Sequence, residues 1–369
     1  MSTIIQSISK HCATLLMLLG IGACVVLWWS RQEGSQQAGF IANVTTPQTR
    51  LAKGLASLRK ATDKTDTRTT LGELKRTLRQ MDVREAREWI LQQLTSGEDA
   101  ATSLDLEIGD DQNLAAWPSY RVFLLDMLFL VDPAASVEPA RVILQSEGSP
   151  DEWAIAMRNL ARASTESVDN ALLREKSAQL LRNAGWLKNP TSGCLEAFDV
   201  IVHTRNASLT PDLLRLCDDR DQKAARHASF LTLDRLVQAN PKATLTMLAA
   251  QASAHPQNGL MISNMMARAD VRDEAQRQAL EGYLLDTHRT AEELRGFASV
   301  FPNANIAVSN NLLTKPSLIH GRDLADQDQA SMKTLEAWLA DQRFSKLQEP
   351  LLQALGRLQE LAGTRNTGR

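Results

Sequence analysis

Repeatedly along this sequence a residue able to cap a helix stands directly before a proline, as in Thr46-Pro47, Asp132-Pro133, Ser149-Pro150, Thr210-Pro211 and Asn240-Pro241. An oxygen-bearing side chain there can accept from an amide of the first helical turn. Proline fits the first helical position because the N–H it lacks has no partner within the helix. Ser149 with Glu152, and Thr290 with Glu293, add the spacing of a capping box. Between these marks the apolar residues recur at helical intervals. Cys194, Leu195, Phe198, Ile201 and Val202 fall on one stripe, as do Trp153, Met157, Leu160 and Ala161. Leu245, Leu248, Ala249 and Ala252 make another, and Met332, Leu335, Trp338 and Leu339 a fourth. No convincing strand pattern competes, so the expected class is all-α, a succession of short helices joined by short turns.

The chain also repeats itself. Leu125–Ala135 (LDMLFLVDPAA) lies over Leu233–Ala243 (LDRLVQANPKA), sharing the pattern L-D-x-L-[FV]-x-x-[DN]-P-x-A at an offset of 108 residues. That offset is three units of about 36, within the range of two-helix repeats. Units in between do not show the pattern, so the repetition is degenerate. On these residues the chain resembles a HEAT-like or TPR-like α-solenoid over residues 48 to 300, without the Trp, Gly, Tyr and Pro signature of the TPR unit. The resemblance implies an extended surface for holding protein partners.

The N-terminus carries a different signal. Cys12 to Trp29 is a run of 18 uncharged residues, CATLLMLLGIGACVVLWW, roughly 27 Å long as a helix and close to the roughly 30 Å of a bilayer's hydrocarbon core. Lys10 precedes it, while Arg31 and Glu33 follow and nearly cancel. This places the short N-terminus in the cytoplasm and the bulk of the chain outside. Trp28 and Trp29 stand where an interfacial aromatic belt belongs. Two rivals are weaker. A cleaved signal has a shorter apolar core, and the lipobox-like Ile21-Gly22-Ala23-Cys24 is followed by five bulky apolar residues rather than polar ones. The expected organisation is a cytoplasmic stub (1–11), a transmembrane anchor (12–30) and a polar linker (31–46). A degenerate helical-hairpin repeat domain (47–330) follows, with irregular insertions at 95–119 and 299–330, then C-terminal helices with a frayed tail (331–369). In that last part Pro350 starts a new helix, and Leu347, Leu351, Leu355, Leu358 and Ala362 form a stripe expected to cap the preceding helices rather than to make a zipper.

Catalytic patterns are missing. There is no H-E-x-x-H, no phosphate- or dinucleotide-binding glycine loop and no G-x-S-x-G. Ser7-Ile8-Ser9-Lys10 matches S-x-x-K only by chance, in the stub before the anchor. The six histidines have no metal-ligand spacing, so neither cofactor nor metal is expected. Asp218-Asp219-Arg220-Asp221 lacks the glycine and distal glutamate of a calcium loop. Basic and acidic residues number 41 and 43, for a net charge of -2. That balance removes the electrostatic motive for binding nucleic acid. Cys194 and Cys217, the two cysteines beyond the apolar run, read as separate buried thiols, with a disulfide as the alternative.

The 95–119 insertion is the most informative irregular stretch. Leu104, Leu106 and Ile108 alternate with polar residues, and Gly109-Asp110-Asp111 can turn a short hairpin. Long ordered loops are often functional. Asp110, Asp111, Trp117, Tyr120 and Arg121, where acids meet aromatic and basic groups, are the candidate interaction surface. The expected function is a protein-interaction scaffold without catalytic activity, a single-pass inner-membrane protein of a bacterial envelope with its C-terminal bulk extracytoplasmic. An enzyme with a site assembled around the 95–119 loop and a structural subunit of a membrane assembly are the alternatives.

Overall fold

The computed structural model describes residues 46–165, 167–305, 311–315 and 321–367. The expected stub, anchor and nearly all of the linker lie outside the described residues. Among the described residues no helix is long and apolar enough to cross a membrane.

Each of the five prolines stands at the entry to a helical turn, though not every residue before one acts as the cap. α1 (Pro47–Leu58) starts on Pro47. α2 (Lys64–Gln80) and α3 (Val83–Ser96) are capped by Asp63 and Asp82, each accepting from two backbone amides. Gly97, at φ 73°, ends α3 in the left-handed conformation that a side chain would strain. Asp132 accepts from the Ala135 amide at 3.1 Å as the chain leaves α4 (Tyr120–Val131) through one 3-10 turn into α5 (Val137–Leu144). Ser149 caps α6 (Pro150–Ala163). α7 (Ser167–Arg182), α8 (Ala184–Lys188), α9 (Ser192–Glu196) and α10 (Asp199–His203) follow. Thr210 is itself the first residue of α11 (Thr210–Asp218), its hydroxyl donating back to the Ala207 carbonyl. Asn240 precedes α13 (Pro241–Gln251) but sends its amide to the Arg205 carbonyl at 2.9 Å, tying two turns together instead of capping.

α12 (Lys223–Ala239), α14 (Gly259–Met266), α15 (Glu274–Leu285) and α16 (Ala291–Val300) continue the helical succession. α16 opens on the full capping box of Thr290 and Glu293. α17 (Gly321–Ala340) and α18 (Gln348–Thr367) close it. The boundary expected at residue 330 therefore falls inside α17. The first half of that helix turns Gln327 inward, so no apolar stripe announces it. Pro350 does open a new helix within its first turn. Leu347, Leu351, Leu355 and Leu358 are buried, and α18 packs on α16 and α17 as a cap. The tail expected to fray from Gly363 is helical through Thr367.

Helices pack on near neighbours in the chain: α1 on α2, α3 on α4, α5 on α6, α11 on α12, α13 on α12 and α15, α14 on α16. Like α6, in which every residue from Trp153 to Leu160 is buried, α4 departs from one-sided burial. Its sequence YRVFLLDMLFLV is apolar all round because it is held between α3 and α6, with every residue from Val122 to Leu128 buried. The one sheet among the described residues is the hairpin of β1 (Glu107–Ile108) and β2 (Leu114–Ala116), antiparallel, with Glu107 opposite Ala116 and Ile108 opposite Leu114.

A second tie runs between helices about one hairpin apart. Arginine–carboxylate pairs join Arg121 to Glu152, Asp126 to Arg158, Arg141 to Asp169, Arg182 to Asp212, Asp199 to Arg235 and Asp234 to Arg268. The separations run from 28 to 36 residues. Exposed members such as Arg182 contribute little to stability. Asp126 and Arg158 are both fully buried at 2.7 Å, and Asp234 with Arg268 is nearly so. These two aspartates are the equivalent positions of the L-D-x-L repeat. Cys194 and Cys217 are free and buried in separate helices, and burial pushes both thiols up to about 12.

Candidate functional site

The expected hairpin forms where the alternation of Leu104, Leu106 and Ile108 placed it. Leu104 and Leu106 are buried, and the turn closes with the Gly109 amide donating to the Asn113 carbonyl at 2.8 Å. Asp110 and Asp111 stand exposed on that turn. The Asp111 carboxylate accepts from the side-chain and backbone amides of Asn113, which hold its pKa below the usual carboxylate value.

The aromatic members of the candidate surface are elsewhere. Trp117 and Tyr120 are core residues, at 5% and 0% exposure. Trp117 donates through Nε1 to the buried Asp126 at 2.8 Å and packs edge-on to Phe123. The Tyr120 ring lies parallel to Phe123, and burial drives its hydroxyl pKa up. Their position next to the very apolar α4 was the signal that they serve packing. Arg121 is half-buried and fixed, with Nε 3.0 Å from Glu152 and Nη1 donating to the Leu94 carbonyl at 2.9 Å. Of the five candidates, Arg121 lines a cavity large enough to take a ligand.

That cavity is a groove of about 660 Å³ between the second half of α3 and the outer face of α5. Leu91, Leu94, Pro139, Val142 and Ile143 form its apolar walls, and Arg87, Arg121 and Glu138 its polar margin. Both arginines are already matched inside the chain, Arg87 by Asp132 at 3.1 Å and Arg121 by Glu152. The margin therefore offers no uncompensated cation, and the groove suits neutral apolar groups. Sequence reasoning missed these wall residues. The available signal was in VEPARVIL: Ala140, Ile143 and Leu144 fill the inward face of α5, which leaves Val142 stranded at 57% exposure.

The tip of the hairpin does different work. Gln112 donates to the Asn311 and Thr314 carbonyls at 3.4 and 3.3 Å, and Arg162 donates to the Gln112 and Leu312 carbonyls. The 299–330 stretch thus returns to the 95–119 stretch, and the two irregular segments hold each other against α6. Among the described residues no cluster of three or more His, Cys, Asp or Glu is placed to hold a metal ion.

No protein-family model, no curated protein and no solved structure matches this chain.

Proposed function

We propose that this chain is a membrane-anchored α-solenoid that works as a protein-interaction scaffold in a bacterial cell envelope. In this reading residues 12–29 span the inner membrane and the helical body is extracytoplasmic. Three features support the repeat architecture: helices packed on near neighbours, the arginine–carboxylate ties about one hairpin apart, and the buried Asp126 and Asp234 at equivalent repeat positions. Such arrays bury one face of each hairpin against the next and leave another for a partner. Tethering raises the local concentration of that face near membrane complexes.

The observation that carries the docking reading is the apolar groove between α3 and α5. Its occupant is an apolar face of a partner helix, laid along Leu94, Pro139 and Val142 in the helix-in-groove manner. A charged partner segment gains nothing from a margin whose arginines are satisfied. The test is affinity isolation from solubilised membranes with the full chain, Val142→Asp in the groove and Val168→Asp on an exposed site of α7. A partner recovered with the full chain and with Val168→Asp, and lost with Val142→Asp, supports the reading. Repeated recovery of no partner, or a partner indifferent to Val142→Asp, overturns it.

A further inference from the structure

A second cleft, of about 280 Å³, opens between α9 and α12 and is bounded on one side by Asn311. Its walls are apolar, formed by Leu195, Phe198, Ala228 and Leu231; its charged groups are Glu196, Asp199 and Arg235, with His227 also among the lining residues. Asp199 is fully engaged. Its carboxylate accepts from the Leu313 amide at 2.6 Å, the Thr314 amide at 2.8 Å, the Thr314 hydroxyl at 2.6 Å and the Arg235 guanidinium. Arg235 in turn is held between Asp199 and the Thr314 hydroxyl. The two charges cancel, and neither is available to a ligand.

Glu196 is the odd group. It is half-buried in the cleft, yet among the described residues none gives it a hydrogen bond or forms an ion pair with it. A carboxylate partly drawn out of water without a partner is disfavoured in its charged form. The strain shows in its acidity, which burial, and then the negative charge of Asp199, shift up to about 7. The cleft thus has one unspent carboxyl group, which a cation would hold in its charged form, between apolar walls. Its volume is just below the range of drug-sized ligand sites, which suits a single side chain rather than a nucleotide or a sugar.

We propose that this cleft binds a lysine or arginine side chain of a partner protein, its cationic head closing onto Glu196 and its methylene stem lying along Leu195, Phe198 and Leu231. Basic side chains bury their stems on apolar surface while the head keeps a polar contact, and charge-assisted bonds to a carboxylate are the strong ones. Neither cleft residue nor charge is shared with the groove between α3 and α5, so this site stands or falls separately from that docking reading.

The experiment is ligand-observed NMR on the purified full chain with four probes: N-acetyl-lysine methylamide, N-acetyl-arginine methylamide, the neutral N-acetyl-norleucine methylamide, and spermidine. Saturable binding of a basic amide, with the norleucine amide silent, is the expected result. Glu196→Gln is expected to weaken that binding by about tenfold or more, with an unfolding midpoint no lower than that of the parent chain. Absence of saturable binding by both basic amides overturns the proposal. So does equal binding of the norleucine amide, or undiminished affinity in Glu196→Gln. Tighter binding of spermidine than of either amide also overturns it, by assigning the cleft to a free polyamine.

Discussion

Replacing Asp126 by Asn changes a single heavy atom at a fully buried charge pair. Asp126 and Arg158 are each fully buried, with Oδ1 2.7 Å from Nη1. The other carboxylate oxygen accepts from Trp117 Nε1 at 2.8 Å. The Arg158 contact is an ion pair rather than a well-angled hydrogen bond, since neither Oδ1 nor Nη1 finds a hydrogen-bond partner. Asparagine keeps the shape and removes the charge. Its amide nitrogen then faces either the Arg158 guanidinium or the Trp117 N–H, donor against donor in both cases. Asn159 Oδ1 accepts from Arg158 Nε and Nη2 at 3.1 and 2.8 Å and remains, but it carries no charge. Leaving a buried charge unmatched costs about 3 to 5 kcal/mol. Urea unfolding followed by tryptophan fluorescence is well placed to read it, because Trp117 sits on the pair. Replacing both partners with apolar residues, Asp126→Leu with Arg158→Met, is expected to recover most of the loss. A loss below about 1 kcal/mol for Asp126→Asn, no larger than an exposed Asp221→Asn gives, would refute the claim that this pair sits in a dry core.

Three further outcomes follow from particular contacts. A Cβ at Gly259 would lie 1.9 Å from Glu293 Oε1, so Gly259→Ala must push aside the acid of the α16 capping box and is expected to cost about 1 to 3 kcal/mol, readable as an earlier thermal midpoint. The thiols of Cys194 and Cys217 should resist alkylation in the folded chain and both react after unfolding without reductant; reaction only after reduction would mean a disulfide. The Glu196 carboxyl, raised from 4.5 to about 7, is a group whose folded state holds its proton longer than the unfolded state. Its contribution is full below pH 4.5 and is lost as pH rises to about 7, so the unfolding free energy of Glu196→Gln relative to the parent should climb by up to about 3 kcal/mol across that window; a difference flat with pH would contradict it.

Much of the helical body was legible because helix entry is local chemistry. Pro150 behind Ser149 and the Thr290–Glu293 box need only their own backbone to act, and both act as expected. The L-D-x-L motif was visible as a repeat, but not its purpose: the aspartates meet arginines some thirty residues away, a long-range fact no periodicity carries. The candidate surface failed for the same reason. Trp117 and Tyr120 look like loop aromatics until α4 is packed on both sides, and then Asp126 and Phe123 claim them. The groove and the Glu196 cleft were invisible, since each is lined by residues from segments far apart in the chain. The start of α17 escaped because Gln327 faces inward where an apolar residue would have been read.

The central proposal is that a partner sits in the groove between α3 and α5. A photo-activatable residue introduced at position 142 of the full chain in intact cells tests it directly, with the same residue at position 168 as the comparison. One discrete adduct from position 142, absent from position 168 and abolished by a second change of Leu94→Asp in the groove wall, is the predicted result. Adducts equal from both positions, or none from position 142, would contradict it.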